Sequence, residues 1–393
     1  MELTSKQQEA LKIALERYRN NEQYTVISGY AGVGKSTLVT FIIAALDLDP
    51  EKDVAYVSFT GKASEVLREK GNPNAMTAHK LLYKAKQLAN GKFIFYPRSE
   101  LDRDYKLIIV DEVGMLPLDM WNLLLRHHVH VIACGDPFQI PPILKEQDNH
   151  VLDNPHIFLD KIMRQALESD IITLSMSIRE GKKISPVQGV DARVFSKKDL
   201  VDGMYFWADQ ILVSTNKTRN DINDYMRKAI GYGKTPEIGD KVICLRNCWD
   251  TFSAEKMNPL INGTIGYLDS FYEDDIYYNM RGRYVSAHVL VANIKTNNDI
   301  YYRVNIDYSS LVNGKKSFTP EEEYKIRRYK DNPDLPIEFN YGYAITGHRA
   351  QGSQWGKVLV LEEGFPFDKV EHARWLYTAC TRAADKLTLV LRK

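Results

Sequence analysis

Cysteine is scarce in this chain of 393 residues. The four present, Cys134, Cys244, Cys248 and Cys380, are too sparse for a disulfide framework and fit a reducing compartment. Cys244 and Cys248 lie close together, but no second Cys or His pair follows nearby in sequence, so a zinc site is not expected. No apolar run approaches the roughly 18 residues that a membrane span needs. The opening MELTSKQQEALKIALERYRNN is polar and amphipathic without a signal-peptide core, so neither a membrane nor a secretory role is expected. An excess of charge is missing too: 52 Lys and Arg stand against 51 Asp and Glu, a formal net charge of +1. Bulk charge therefore argues neither for nor against nucleic acid, and any basic track must be local. What is present, 44% hydrophobic and 26% charged residues, excludes a disordered tail and suffices for substantial cores. At roughly 150 residues per domain the length suggests two or three domains.

The first quarter alternates strand and helix patterns, the habit of a parallel sheet covered by helices. Leu3, Leu11, Ala14, Leu15 and Tyr18 recur at helical spacing, with Thr4 and Gln7 placed as a capping box. Strands are expected at Tyr24 to Ser28, Val54 to Phe59, Leu107 to Val110 and Val129 to Cys134, with an apolar helix from Ser36 to Leu46 after the first. Between the second and third strands KQLANGKFIFYP reads as an inserted hairpin turning at Asn90-Gly91. A second sheet is expected from Ile211 to Ser214, Lys357 to Leu361 and Leu387 to Leu391. From about Pro236 to Pro336 short β-rich runs (DKVICLR, GTIGYLDSF, YVSAHVLVANI, DIYYRVNI) point to an inserted small barrel, with DNPDLP marking the return.

The strongest chemical signal is Gly29-Tyr-Ala-Gly32-Val-Gly34-Lys35-Ser36, a complete GxxxxGK[ST] phosphate loop between a predicted strand and a predicted helix. Its glycines let backbone N–H groups wrap phosphate oxygens, the helix N-terminus adds positive potential, Lys35 reaches the β/γ-phosphates and Ser36 can ligate Mg²⁺. Thr37 follows in the same cradle. The apolar strand ending at Val110 delivers Asp111 and Glu112, one carboxylate for the metal shell and one for the attacking water. Alone, such a pair is more often a charged helix start; after a phosphate loop it reads as catalytic. Gly135-Asp136-Pro-Phe-Gln139-Ile-Pro-Pro follows the fourth strand and puts the Gln139 amide near a γ-phosphate, unless the segment is only a proline-rich turn.

In order, GYAGVGKST, FTGKA, TAHKLL, VDEVGM, GDPFQIPP, the arginine of IMRQA, TGHRAQGSQW and YTACTRA resemble the superfamily 1 helicases, and most closely their 5′-to-3′ branch of Dda-like and RecD-like enzymes. The similarity runs from Leu3 to the C-terminus, with the region 236–336 matching only in position and β character. The resemblance implies two RecA-like α/β domains: 1–150 as domain 1A with a hairpin (pin) inserted at about 80–103, and 151–235 with 337–393 as domain 2A. It also implies an SH3-like or OB-like β-barrel, domain 2B, inserted at 236–336. Gln7 resembles the glutamine that reads adenine, although a capping box explains it equally well. Arg164 and Arg382 resemble the two arginines that domain 2A brings to the γ-phosphate. Thr60, Lys62, Thr77, His79, Thr346, His348 and Gln351 resemble the family's strand-contacting and coupling residues, although either histidine alone would read as structural. Phe93, Phe95 and Tyr96 on the hairpin fit a separation pin or plain packing, and Tyr267, Phe271, Tyr272, Tyr277 and Tyr278 fit base stacking or a barrel core.

The expected activity is ATP-dependent, Mg²⁺-dependent 5′-to-3′ DNA unwinding. The expected partners are single-stranded DNA and single/double-strand junctions, with replication or recombination proteins beyond them. A monomer without a membrane association, in the cytoplasm of a bacterial cell or a phage-infected host, is the matching expectation. An RNA translocase and a nucleotide-switched binding module remain alternatives, because phosphate contacts do not tell the two sugars apart. Lys35→Ala is expected to abolish ATP turnover while the protein stays folded, measured as phosphate release beside far-ultraviolet circular dichroism; unchanged turnover would contradict the phosphate-loop assignment.

Overall fold

Thr4 starts the first helix, α1 (Ser5–Arg19), with a reciprocal cap: its hydroxyl accepts the Gln7 N–H while the Gln7 side chain accepts the Thr4 N–H. Two basic residues, Arg17 and Arg19, close its last turn, where they complement the helix dipole. The computed structural model describes residues 3–69, 71–87, 93–141, 148–162, 168–255, 259–297, 299–329 and 331–392. After α1 the chain runs through β1 (Tyr24–Gly29), α2 (Lys35–Ala45), β2 (Val54–Ser58), α3 (Gly61–Glu69), β3 (Met76–Thr77) and α4 (Ala78–Leu82). The strands β4 (Tyr83–Gln87) and β5 (Phe93–Pro97) form a separate two-stranded sheet, followed by β6 (Leu107–Val110), α5 (Leu118–Leu125), β7 (His130–Gly135) and β8 (Ile157–Leu159). The Asn90-Gly91 turn lies outside the described residues.

The first sheet has the order β3-β2-β6-β7-β1-β8 and every pairing in it is parallel. Its central strands are buried throughout, as a sheet covered on both faces demands. Alternate residues divide between the two faces. Ile27, Ile109 and Ile132 pack with Leu38 and Ile42 of α2, while Val26, Ile108 and Val131 pack with Trp121 and Leu124 of α5. Strand β8 carries this sheet past the boundary expected at 150, its short apolar run pairing beside β1.

A second sheet places Gln210–Val213, Trp355–Leu361, Ala383–Leu391 and Ala192–Ser196 side by side in parallel, with Val187–Gln188 antiparallel at its edge. The expected α/β plan of two parallel sheets is thus present. The two C-terminal strands begin before their expected starts at Lys357 and Leu387. The first sheet and the five strands of the second named above belong to one compact unit, Met1–Lys84 with Tyr96–Asn216 and Thr346–Lys393.

The other unit comprises Ala85–Phe95 and Lys217–Ile345. It is built on a five-stranded antiparallel sheet ordered Ile300–Asp307, Arg283–Lys295, Ile265–Met280, Lys241–Cys244, Phe339–Tyr341. The last strand lies beyond the expected return at 336. The run GTIGYLDSF belongs to a longer strand that passes through the acidic residues after it. The strand continues to Met280, with His288 across from Asp275 and bonded to both Asp275 and Glu273 at 3.1 Å. The turn comes at Arg281-Gly282, both with positive φ, as a two-residue hairpin loop requires. Helices Tyr308–Asn313 and Pro320–Arg327 also interrupt the β-rich region. The second is announced by Thr319, Pro320 and Glu322, a capping box with proline in the first turn. Among the described residues no helix is long and apolar enough to cross a membrane.

One buried ion pair organises this unit. Arg227, 4% exposed, grips the fully buried Asp240 through Nε at 2.8 Å and Nη2 at 3.0 Å, and donates further to the carbonyls of Gly233 and Thr235. Asp240 also accepts the Glu237 N–H and the Tyr343 hydroxyl, so both charges are saturated with hydrogen bonds. Asp240→Ala would leave the guanidinium buried without its counter-charge. It is expected to lower unfolding free energy by about 3–5 kcal/mol in urea titration, and a loss under about 1 kcal/mol would contradict this role.

Candidate nucleotide site

The phosphate loop emerges from the C-terminal end of β1 and enters α2 through Gly34, whose φ of 80° places it in the left-handed region that only glycine adopts freely. Gly29 is fixed by space: a Cβ there would lie 2.7 Å from the Leu159 carbonyl oxygen and 2.9 Å from Val33. Lys35 folds back over the loop, donating to the carbonyls of Gly29 at 2.6 Å and Tyr30 at 3.0 Å. Gly32, Ser36 and Thr37 stand in the same cradle between β1 and α2. Gln7 is 2% exposed, and besides its capping bonds its amide donates to the Val33 carbonyl at 3.2 Å. That bond ties α1 to the phosphate loop and gives Gln7 a structural duty at the nucleotide site.

Two further strand ends deliver carboxylates. Asp111 follows β6 and accepts the Glu112 N–H at 3.0 Å, while Glu112 sits in the left-handed region with φ 51°, which swings its side chain out of the strand direction. Asp136 follows β7 and is nearly buried. Burial pushes its carboxyl above the ordinary range, and the Lys35 charge and the Tyr377 hydroxyl hold it back. Ser36 and Asp111 supply a hydroxyl and a carboxylate, the hard oxygen donors that Mg²⁺ takes, and the buried Oε2 of Glu112 beside them has no hydrogen-bond partner.

The helix Lys369–Cys380 and the residues after it meet these groups. Arg382, 4% exposed, bonds Glu112 Oε1 through Nη1 at 3.3 Å and is braced by the carbonyl oxygens of Thr378 and Ser353. The Tyr377 hydroxyl accepts the Ala31 N–H of the phosphate loop at 2.8 Å and donates to Asp136 Oδ2 at 2.5 Å. Thr378 Oγ1 accepts the Ile140 N–H, and the Gln351 amide donates to the Ile140 carbonyl at 2.6 Å. Glu112, Asp136, Gln139, Gln351 and Arg374 line one cavity. Residues from both sheets therefore converge on the phosphate loop.

Of the residues expected here, Gln7, Lys35, Asp111, Glu112, Gln139 and Arg382 gather at this site, whereas Arg164 lies outside the described residues. Thr60 accepts the Ala63 N–H at the start of α3, Lys62 pairs with Glu65 at 2.8 Å, and Thr77 caps α4 through the Lys80 N–H. His79 stacks against Tyr83 and leans on Phe59, and burial lowers its pKa, as it does for His348. Gly352 approaches this group so closely that a Cβ would meet Thr60 Oγ1 at 2.7 Å, so TGHRAQG abuts FTGKA. Thr346 ends a short strand and is 8% exposed, and Gln351 turns its amide to Ile140 instead of to solvent. Tyr377, Thr378 and Asp136 were visible only as members of motifs. Arg179, whose guanidinium lies 3.6 Å above the Tyr30 ring, left no signal in sequence.

Residues 2–195 match the model of an AAA domain, and residues 341–390 that of the UvrD-like helicase C-terminal domain. The chain is 26% identical over 379 residues to the ATP-dependent RecD2 DNA helicase of Deinococcus radiodurans, covering 92% of this chain and 46% of that protein. It thus spans about half the length of that relative. It is 24% identical to the ATP-dependent DNA helicase dda of Enterobacteria phage T4, over 97% of each chain. The solved Pif1 helicase of Candida albicans superimposes with a TM-score of 0.50 at 17% identity, covering 99% of this chain and 94% of that one. That likeness supports the two RecA-like domains of the fold.

If Arg382 acts as expected on charge that develops in the transition state, Arg382→Ala lowers ATP turnover about 100-fold or more while nucleotide affinity changes less than about threefold. Steady-state turnover and fluorescent-nucleotide titration separate the two; a loss confined to affinity would contradict the assignment.

Proposed function

We infer that this chain, which belongs to the superfamily 1 helicases, is an ATP-dependent DNA helicase that moves 5′ to 3′ along single-stranded DNA and separates duplex strands. The observation that carries this reading is the meeting of Arg382 with Glu112 at 3.3 Å beside the phosphate loop, the arrangement that a transition-state cation and a base supplied from two parts of the chain would need. The names of the RecD2 and dda relatives, both ATP-dependent DNA helicases, support DNA over RNA as the substrate.

In this reading Lys35 and the loop N–H groups bind the β/γ-phosphates, and Ser36 and Asp111 hold Mg²⁺. Bound Mg²⁺ would neutralise phosphate charge. Glu112 takes a proton from the water whose oxygen bonds to the γ-phosphorus as the bond to ADP breaks, and Gln139 orients that water. Arg382, with Arg164 as its expected companion, leaves its bonds for the transferring phosphoryl group. Thr60, Lys62, Thr77, His79, Thr346, His348 and Gln351 line the strand-binding and coupling segments. Phosphate contacts there would position the strand without reading its sequence.

Around this engine we assign the β4–β5 hairpin as a separation pin, with Phe95 and Tyr96 exposed on it. The antiparallel sheet of residues 241–341 is assigned as the inserted barrel domain 2B. Domain 1A then extends from the N-terminal helix through β8, and domain 2A holds the second sheet. The proposed partners are single-stranded DNA and its junctions with duplex, in DNA replication, repair or recombination. The protein would act as a monomer in the cytoplasm of a bacterial cell or a phage-infected host.

Matched duplexes carrying a 5′ or a 3′ single-stranded tail test this function, with Lys35→Ala as the inactive control. ATP-dependent unwinding of the 5′-tailed duplex alone is expected. Unwinding from the 3′ tail alone would overturn the direction, and ATP hydrolysis without unwinding of either would favour an RNA substrate or a switched binding module.

A further inference from the structure

The Tyr377 side chain is 1% exposed and packs edge-on against Phe138, ring centroids 5.3 Å apart. Packing alone explains a phenylalanine at this position but not a hydroxyl. The hydroxyl is spent as acceptor from the Ala31 N–H and donor to Asp136 Oδ2, so one oxygen joins the phosphate loop to the segment that carries Gln139. That segment is held at both ends. Asp136 Oδ1 accepts the Phe138 N–H, and its far end, Ile140, is gripped through N–H and carbonyl by Thr378 and Gln351. Tyr377 lies just over one helical turn before Arg382, whose Nε is bonded to the Thr378 carbonyl oxygen. A shift of this helix end therefore moves Arg382, the phosphate-loop backbone and the Gln139 segment together.

We propose that Tyr377 is a positioning residue for ATP hydrolysis: its hydroxyl sets the phosphate loop and the Asp136–Gln139 segment in register with Arg382, so that turnover is gated by the placement of the helix Lys369–Cys380. This rests on the helicase reading above. Arg179 over the Tyr30 ring is a second hold by the same side of the site on the same loop. The hydroxyl bonds to backbone and carboxylate rather than to substrate groups, so its loss misaligns the site without deleting a phosphate contact.

Tyr377→Phe keeps the ring and removes the oxygen. With saturating oligo(dT), kcat is expected to fall about tenfold or more while KM for ATP changes less than about threefold, and the thermal midpoint stays close to that of the unaltered protein. Phe138→Leu trims the ring contact and leaves the hydroxyl, and a much smaller fall in kcat is expected. A Tyr377→Phe kcat within about twofold of the unaltered protein, a fall that tracks loss of folded protein, or an equal fall in Phe138→Leu would overturn the proposal. The unaltered protein reports separately on the helicase reading: if its turnover ignores oligo(dT), that reading fails, while the ratio of kcat between Tyr377→Phe and unaltered protein still judges the positioning role.

Discussion

A guanidinium that is 4% exposed needs a counter-charge, and Arg382 finds it in Glu112. The pair joins the segment after the helix Lys369–Cys380 to the end of β6, and it lies where the fold concentrates function, outside the carboxyl ends of parallel strands. The strand ends at Gly29, Val110 and Gly135 each lead straight into a chemical group: the phosphate loop, Asp111 with Glu112, and Asp136. The parallel arrangement of β1, β6 and β7 brings them together.

The ion pair also limits what the site can do by itself. While Arg382 is bonded to Glu112, the proposed transition-state cation and the proposed base are occupied with each other. Binding a polyphosphate changes that balance, because phosphate oxygens offer the guanidinium a stronger, bidentate partner. Releasing Glu112 as Arg382 transfers would create the base and the transition-state cation in one movement. In the proposed helicase such a switch would let hydrolysis follow only once the second sheet has taken its place. The Tyr377, Thr378 and Gln351 bonds give that movement a path to the phosphate loop and to the segment bearing Gln139.

Much of this site is legible in the sequence because it is local. The phosphate loop and the Asp111-Glu112 pair are contiguous runs whose geometry follows from a strand, a turn and a helix start. Gln7 shows the limit of such reading: its capping box is visible, while the bond from its amide to Val33 depends on α1 packing beside the phosphate loop. Tyr377 and Arg179 act across the site from distant segments, so no spacing rule finds them. In the other unit the alternation of the β-rich runs was readable. The acidic stretch Glu273 to Asp275 carries no strand pattern of its own because its partner, His288, lies on the next strand, and Pro320–Arg327 is marked locally only by its capping residues.

The transfer of Arg382 from Glu112 to the reacting phosphoryl group is the claim on which this account turns. A crystal structure of the protein with ADP, aluminium fluoride, Mg²⁺ and an oligo(dT) strand would test it directly. The Arg382 guanidinium is expected to bond the fluoride group, with Glu112 freed to hold the attacking water. Arg382 still paired with Glu112, and the fluoride group contacted from the phosphate-loop side alone, would contradict it.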